Sequence, residues 1–259
     1  MPTRENAPIG SPCWVDLSTS DVEGSRTFYS ELFGWEAGEP NTEFGGYFMF
    51  MRDGLPIAGG MGDMGGEKAN DAWTTYLTTD DVGRTIREAE SAGAHVVVPA
   101  VPIADMGTQA ILVDPSGATV GLWQAGTFPG FVVLAEHGAP SWFELHSRAY
   151  ADSVEFYRTV FRPDMTLVGD SDEFRYSTMD DPNGGGEFAG IMDAVSFLPE
   201  GMPSYWALYW EVDDVDASIA TLERLGGSVV RPAEATPYGK IATVTDPSGA
   251  EFRLRTAPT

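Results

Sequence analysis

"WVDLSTSDVEGSRTFYSELFGW", residues 14–35, contains two local patterns from which the fold class can be predicted. In its first six residues Trp14, Asp16 and Ser18 fall on one side and apolar Val15 and Leu17 on the other, as in a half-buried strand. Further on, Asp21 precedes and Gly34 follows a segment with helical apolar spacing, which indicates an amphipathic helix over about 22–33. The stretch therefore predicts a strand followed by a helix.

The same stretch occurs twice in the chain. "WFELHSRAYADSVEFYRTVFRP", residues 142–163, repeats it at an offset of 128, with Glu144 in place of Asp16. Two more segment pairs follow at offsets of 133 and 132: "WTTYLTTDDV" (from Trp73) with "WALYWEVDDV" (from Trp206), and "VDPSGATVGLWQA" (from Val113) with "TDPSGAEFRLRTA" (from Thr245). Self-similarity of this kind indicates an internal duplication.

Each half divides again into two similar units. Every unit begins with a strand and a helix and continues with three short strands, so the order βαβββ occurs four times. The "DPSG" segments predict type I turns before the last strand of each half. The sequence predicts an α+β fold of two tandem domains, residues 1–127 and 128–259, with two modules in each.

Composition narrows the classes of partner. The 259 residues include 39 acidic and 15 basic side chains, a formal charge of −24. Such a charge repels phosphate backbones and anionic membranes, so we expect neither nucleic-acid nor membrane partners. One cysteine, no apolar membrane-length run and no signal-peptide core lead us to expect a cytoplasmic protein. We expect a monomer or a homodimer.

The ordered set of motifs resembles the vicinal oxygen chelate superfamily, which includes glyoxalase I, bleomycin-resistance proteins and extradiol dioxygenases. The resemblance rests on "D…FY…LFGW" after the first strand, on the two "DDV" helix starts and on "DPSG" before a terminal "LWQ". Within it, the chain looks like a two-domain actinobacterial subgroup labelled glyoxalase-like or hydroxylase. The resemblance implies that paired modules curve into cup-shaped mixed sheets with a site inside each cup.

The resemblance also implies a metal site, with ligands on the first and last strands of the module pairs. Counted onto this sequence, those ligand positions fall on residues that are mostly apolar or uncharged: Trp14, Thr74, Gly121, Trp142, Ala207 and Arg253. Zn, Fe and Mn need imidazole, carboxylate or thiolate donors. We therefore expect that the inherited metal site is lost and that no cofactor is required.

If those positions face inward, so do their neighbours two residues away on the same strands. The candidate catalytic residues are the ionisable members of this set: Asp16, Glu144, His146 and Arg253. The candidate ligand-binding residues are mainly its aromatic members: Trp14, Trp142, Tyr76, Tyr209, Trp123 and Glu211.

Each assignment has an alternative. The tryptophans could be core aromatics, Glu144 could pair with Arg253 or Arg255, and Asp16 could accept from a hydroxyl or an amide. His146 is expected to be a proton shuttle whose pKa Glu144 raises, or else a solvated rim residue. The glycine-rich pieces at 59–66 and 181–190 are predicted to be loops and candidate lids.

Three functions remain open at this level. The first is a metal-independent isomerase, lyase, cyclase or hydroxylase-like enzyme acting on an aromatic or polyketide-like metabolite by carboxylate and histidine acid–base chemistry. The second is a non-catalytic drug- or metabolite-binding protein of the resistance type. The third is a glyoxalase for methylglyoxal-type substrates, with a relocated divalent metal held by Glu144, His146 and Glu211.

Overall fold

The computed structural model describes residues 7–62 and 71–258, which form two halves of eight strands and two helices each. The first half comprises β1 (Pro12–Thr19), α1 (Val22–Phe33), β2 (Glu36–Ala37), a 3-10 turn (Thr42–Phe44), β3 (Phe48–Arg52), β4 (Leu55–Gly62), β5 (Ala72–Thr78), α2 (Val82–Ser91), β6 (His95–Ile103), β7 (Gly107–Val113) and β8 (Thr119–Ala125).

The second half repeats this order. Its elements are β9 (Pro140–Ser147), α3 (Tyr150–Phe161), β10 (Asp164–Asp170), β11 (Arg175–Asp181), β12 (Gly186–Asp193), β13 (Tyr205–Glu211), α4 (Val215–Arg224), β14 (Ser228–Thr236), β15 (Gly239–Thr245) and β16 (Glu251–Arg255). The predicted α+β fold with four βαβββ modules is confirmed.

Each half forms one mixed eight-stranded sheet. The strand orders are β2-β3-β4-β1-β5-β8-β7-β6 and β10-β11-β12-β9-β13-β16-β15-β14. The first strands of the two modules in a half run antiparallel side by side, β1 with β5 and β9 with β13. Modules therefore pair within each half of the chain, a point that the sequence left open.

The predicted start and end of the first helix are observed. The side chain of Asp21 accepts a hydrogen bond from the backbone N–H of Gly24, and Gly34 adopts φ of 73° at the end of α1. A positive φ of this kind is easily reached only by glycine. Asp81 and Asp214 cap α2 and α4 in the same way, whereas Ala149 at the start of α3 provides no side-chain cap.

The helices and the outer sheet faces of both halves share one aromatic core. Trp210 of β13 is fully buried, and its ring packs within 4.9–5.7 Å of Phe33, Trp35 and Trp73 of the first half. Since aromatic pairs of this geometry add to the free energy of burial, the two halves stabilise each other directly.

Two equivalent hydrogen bonds cross between the halves. The hydroxyl of Tyr29 on α1 donates to Asp246 Oδ2 at 3.1 Å, and the hydroxyl of Tyr157 on α3 donates to Asp114 Oδ2 at 2.9 Å. Both aspartates begin "DPSG" turns, where their other oxygen accepts backbone N–H groups of the turn. Each turn is thus fastened to a helix of the opposite half.

One predicted feature is wrong in part. The glycine-rich pieces were expected to be loops, but Gly59 and Gly60 lie within β4, and Gly186–Asp193 forms β12. At Gly59, Gly60 and Gly190 a side chain of a neighbouring segment occupies the space that a Cβ atom would need, so glycine fits within the strand. Residues 63–66 of the first piece lie outside the described residues.

In the described part of the chain, every helix is too short or too polar to cross a bilayer.

Candidate functional site

The inner face of the second sheet brings together several of the predicted site residues. Trp142, Glu144 and His146 alternate along β9, and Tyr209 of β13 lies directly opposite Trp142. Arg253 of β16 lies beside Tyr209 in parallel register. The period of two in these strands therefore places all five side chains on one face, which we call the second cup.

Glu144 and His146 form a buried pair. His146 Nε2 lies 2.6 Å from Glu144 Oε1, and the Tyr209 hydroxyl donates to the same oxygen at 3.0 Å. Glu144 is 7% exposed and His146 4%. A carboxylate can only accept hydrogen bonds, so Nε2 carries the proton and Nδ1 is left as the acceptor of the imidazole.

The pKa values of the pair follow from burial and from the nearby cation. Burial opposes the charge on Glu144, but the hydrogen bond from His146 and the charges of His146 and Arg253 outweigh it and lower the pKa of the carboxyl group. Burial also lowers the pKa of His146, and Arg253 adds to this effect. Glu144 does raise the pKa of His146, as expected, but desolvation of the imidazolium outweighs this contribution and the net pKa is lowered.

Arg253 lies beside the pair and is 5% exposed. Its Nη2 donates to the Tyr205 hydroxyl at 2.8 Å, and it lies 3.5 Å from both His146 Nδ1 and Glu251 Oε1. Its guanidinium also lies over the rings of Tyr205 and Tyr209, at 5.7 and 5.3 Å from their centroids. These contacts fix the position of the cation in the second cup.

A loop of residues 194–204 covers this cluster. Phe197 packs edge to face on His146 with ring centroids 5.2 Å apart. Arg231 lies 5.0 Å from the centre of the Phe197 ring, and Arg148 donates to backbone carbonyls at Leu198, Pro199 and Met202. Phe197 thus covers part of the His146 ring, and the Tyr205 ring lies 5.1 Å from it as well.

The inner face of the first sheet, which we call the first cup, has a similar hydrogen-bond network without histidine or arginine. Asp16 Oδ1 accepts from Trp14 Nε1 at 2.9 Å and from the Tyr47 hydroxyl at 2.7 Å, and Tyr76 also bonds to this carboxyl group. Burial raises the pKa of Asp16, and these hydrogen bonds only partly offset the effect. One of the alternatives considered for Asp16, acceptance from a hydroxyl, is therefore what the structure contains.

The segment that joins the halves packs against the aromatic residues of the first cup. The ring of Phe128 lies 4.8 Å from Trp14 and 6.1 Å from Trp123, whose indole N–H donates to the Phe128 carbonyl. Phe131 stacks on Trp14 at 6.2 Å. The predicted ligand-binding residues Trp14 and Trp123 are thus already in contact with protein side chains.

One tyrosine in each cup, Tyr47 in the first and Tyr176 in the second, was missed by sequence reasoning. A Cβ atom on Gly59 or Gly190 would overlap with the hydroxyl of Tyr47 or Tyr176 respectively, so each hydroxyl fills the space left by a glycine on the inner face. Tyr176 also accepts from Trp142 Nε1 at 3.0 Å. The two tyrosines occupy matching places in the repeat, which was a usable signal. Tyr205 lies four residues before Tyr209 on β13, so the strand period of two also predicts that the two side chains share a face.

Glu211 lies away from the Glu144–His146 pair. Burial raises its pKa, Ser141 and Arg255 oppose this change, and neither His146 nor Glu144 is among its partners. In residues 7–62 and 71–258, no three His, Cys, Asp or Glu side chains are placed to hold one metal ion. The relocated site of Glu144, His146 and Glu211 is therefore not assembled, and the donor set at the superfamily's ligand positions does not fit a divalent metal.

Two clefts open on the surface. One of about 450 Å³ is lined by Trp142 and lies between the β11–β12 turn and the segment that joins the halves. A larger one of about 660 Å³ lies between α2 and α3 and contains none of the predicted site residues. Arg162 and Glu88 form an ion pair in its wall. Of the second-cup residues, Trp142 lines the smaller cleft, whereas Glu144, His146, Tyr209 and Arg253 line neither cleft.

Comparison with known proteins agrees with this architecture. The sequence pattern of the Glyoxalase/Bleomycin resistance protein/Dioxygenase superfamily matches residues 13–122 and 140–254. The chain belongs to this superfamily. Among its relatives is the Mycobacterium tuberculosis protein named "Putative glyoxylase CFP32", 33% identical over 100% of this chain and 99% of that protein.

A second group of superfamily relatives comes from Streptomyces. The anthracycline biosynthesis protein DnrV of Streptomyces peucetius is 31% identical, over 95% of this chain and 92% of its own length. Solved structures share the fold at lower identity. The Mn(II)-bound glyoxalase of Novosphingobium aromaticivorans has a TM-score of 0.66 at 15% identity, covering 97% of this chain and 83% of that one.

Proposed function

We propose that the second cup is the active site of a small-molecule enzyme that acts on an aromatic or polyketide-like metabolite without a metal. The observation that carries the proposal is the 2.6 Å contact between Glu144 and His146, beside the guanidinium of Arg253. A neutral imidazole whose far nitrogen bonds to a carboxylate is a general base, because the carboxylate stabilises the imidazolium that forms.

In this mechanism the lowered pKa of His146 keeps it neutral, so that Nδ1 can accept a proton from the ligand. Glu144 keeps the Nε2–H tautomer in place and offsets the charge that appears on the ring. Arg253 offsets negative charge that develops on the ligand. Trp142 and Tyr209 supply aromatic surface beside these groups, and Phe197 excludes water.

The aromatic substrate class is supported by the relatives. DnrV is named for anthracycline biosynthesis, and anthracyclines are polycyclic aromatic compounds. In this proposal the ring system approaches the second cup from the cleft that Trp142 lines. In this proposal the first cup, with its aromatic residues packed on Phe128, is structural. We further propose a cytoplasmic monomer or homodimer. The acidic charge of −24 supports the absence of nucleic-acid and membrane partners.

A second candidate is binding without turnover. It is favoured by the saturation of Glu144 Oε1, which accepts from His146 and from Tyr209 within the protein. A carboxylate bonded in this way could hold the shape of a binding cup without moving protons. The two candidates predict the same ligand class and differ only in product formation.

The test is a thermal-shift panel of hydroxylated naphthalenes, tetralones and anthraquinones, followed by mass spectrometry of the incubated compounds. We expect a saturable shift and a new product for wild type, a reduced shift and no product for Glu144→Gln, and wild-type behaviour for Glu155→Gln on exposed α3. A shift without a product favours the binding candidate. Equal shifts in wild type and Glu144→Gln would contradict the site assignment.

A further inference from the structure

The cleft of about 450 Å³ beside Trp142 has mainly apolar walls. Aromatic and aliphatic side chains contribute most of its lining: Trp142, Phe143, Phe188, Leu134, Pro8 and Pro12. Trp142 and Phe188 are half-buried, so part of each ring remains accessible. Walls of this kind suit a flat apolar ring, with the few polar groups of the cleft left to orient it.

The first half of the chain shows what the equivalent tryptophan contacts. Trp14 matches Trp142 in the repeat, and the ring of Phe128 meets Trp14 edge to face with centroids 4.8 Å apart. Among the residues that the structure describes, no aromatic ring stacks on Trp142 or meets it edge to face. Trp142 therefore lacks the aromatic partner that the joining segment gives to Trp14, and a ring from a ligand can take that role in the cleft.

The charged side chains that line the cleft are all acidic. Asp181 and Glu187 flank the β11–β12 turn and line the cleft, and in residues 7–62 and 71–258 no Lys, Arg or His side chain does so. Asp181 Oδ1 accepts hydrogen bonds from Asn183, whereas the carboxylate of Glu187 has no hydrogen-bond or ion-pair partner within the same ranges. Two carboxylates without a neighbouring cation attract a positive charge and repel a negative one.

The aromatic and acidic walls together select one class of ligand. The face of an indole ring carries negative potential and attracts a cation, as a carboxylate does. A protonated amine attached to an aromatic ring can pack the ring beside Trp142 and donate its N–H groups to Glu187 in a charge-assisted hydrogen bond. A neutral ring makes only the first of these contacts, and an anion is repelled.

We propose that the cleft beside Trp142 binds aromatic amines in their protonated form, with Trp142 as the ring contact and Glu187 and Asp181 as the cation contacts. The inference rests on the proposed function, in which the ligand approaches the second cup from this cleft, and it specifies the charge of that ligand. It concerns binding alone, so it can be tested without a product.

The experiment is calorimetric titration of the full chain at pH 7 and low salt with three probes that share one ring system: 1-naphthylmethylamine, 1-naphthylmethanol and 1-naphthoate. Wild type is expected to bind the amine at least about tenfold more tightly than the alcohol, because a charged donor meets a carboxylate. The naphthoate is expected to bind most weakly. Cyclohexylmethylamine, which has the charge without the aromatic ring, is expected to bind about fivefold more weakly than 1-naphthylmethylamine.

A charge reversal with a matched control assigns the site. Glu187→Lys should weaken binding of the amine about tenfold and strengthen binding of the naphthoate, a reversal that misfolding cannot produce. Glu173→Lys makes the same charge change on an exposed residue at the other end of β11, outside the cleft lining. It should change each dissociation constant less than about twofold. Trp142→Leu should remove the difference between the naphthyl and cyclohexyl amines.

The outcomes separate the cleft from the proposed enzyme. Equal affinities of wild type for the amine and the alcohol, or equal responses to Glu187→Lys and Glu173→Lys, overturn the inference, as does the failure of all three naphthalene probes to bind at millimolar concentration. The proposed function is decided separately, by Glu144→Gln in the thermal-shift panel. Amine binding that depends on Glu187, with no product from any compound of that panel, supports the inference and contradicts catalysis.

Discussion

His146 Nε2 and Glu144 Oε1 lie 2.6 Å apart on one strand, and the matching positions in the first half of the chain are Ser18 and Asp16. The duplication therefore produced two cups with the same strand order and different ionisable side chains. The second contains a charged network of carboxylate, imidazole and guanidinium. The first contains a carboxyl group surrounded by hydroxyl and indole donors, whose pKa burial raises.

This difference predicts opposite effects of two amide substitutions on stability. Glu144→Gln removes a carboxylate whose pKa is lowered by His146 and Arg253, and should cost about 2–3 kcal/mol of unfolding free energy at pH 7. Asp16→Asn removes a charge that burial disfavours and keeps an acceptor for Trp14 and Tyr47, so it should be neutral or stabilising. Urea denaturation of both variants measures this. Equal destabilisation would mean that the two networks are equivalent.

The titration of His146 predicts how stability depends on pH. Its folded pKa lies below the ordinary 6.5, so the unfolded chain binds the proton first and stability falls as the pH drops below about 6.5. One proton contributes at most about 1.4 kcal/mol per pH unit. His146→Gln should show a shallower loss between pH 7 and 5 than wild type. Parallel curves for the two proteins would show that His146 titrates normally.

Phe197 predicts the chemical accessibility of His146. Of the three histidines, His95 is exposed on β6 and His137 is 38% exposed, whereas Phe197 covers His146. Phe197→Ala should raise modification of His146 by diethyl pyrocarbonate about tenfold without changing His95 or His137, since only the local cover is removed. Peptide mass spectrometry gives the three rates. An unchanged His146 rate would show that another group closes the cup.

The inner-face glycines predict a steric effect. A methyl group on Gly190 would overlap with the Tyr176 hydroxyl, so Gly190→Ala should lower the unfolding free energy by about 2 kcal/mol. Gly62→Ala on β4 is the control, because its Cβ would meet Val22 only at an ordinary 3.5 Å. Thermal denaturation compares the two variants. A harmless Gly190→Ala would place the Tyr176 hydroxyl elsewhere.

The crossing hydrogen bonds predict coupling between the halves. Tyr29→Phe and Tyr157→Phe each remove a donor to a buried aspartate, and each should cost about 1–2 kcal/mol. The two contacts share no partner, so the double variant should lose the sum of the two effects. A single denaturation transition should persist in all variants, because the aromatic core around Trp210 still joins the halves. Two separate transitions would contradict the shared core.

Much of the fold was predictable because its strands and helices depend on short-range sequence patterns. The alternation in β1 and β9, the Asp caps and the glycine after α1 each act within a few residues. The repeat then fixed the order of the modules. The grouping of Glu144, His146, Tyr209 and Arg253 followed from the inward-facing positions that the family resemblance implies, extended along each strand by alternation.

The contacts made by loops were beyond sequence reasoning. Phe128 and Phe197 lie in segments without a period, and only the folded chain places them on Trp14 and on His146. The sign of the His146 pKa shift was also missed, because it depends on burial and on Arg253, 107 residues away along the chain. Glu211 was grouped with Glu144 by strand pattern, although it lies at the end of β13 beside Ser141.

We propose that the second cup works without a metal. The most direct test is the affinity for a ligand found in the thermal-shift panel after dialysis against EDTA, with metal content determined by plasma mass spectrometry on the same sample. We predict an unchanged dissociation constant in wild type at well below one metal per chain. Loss of binding in EDTA, restored by one equivalent of Zn²⁺ or Mn²⁺, would contradict it.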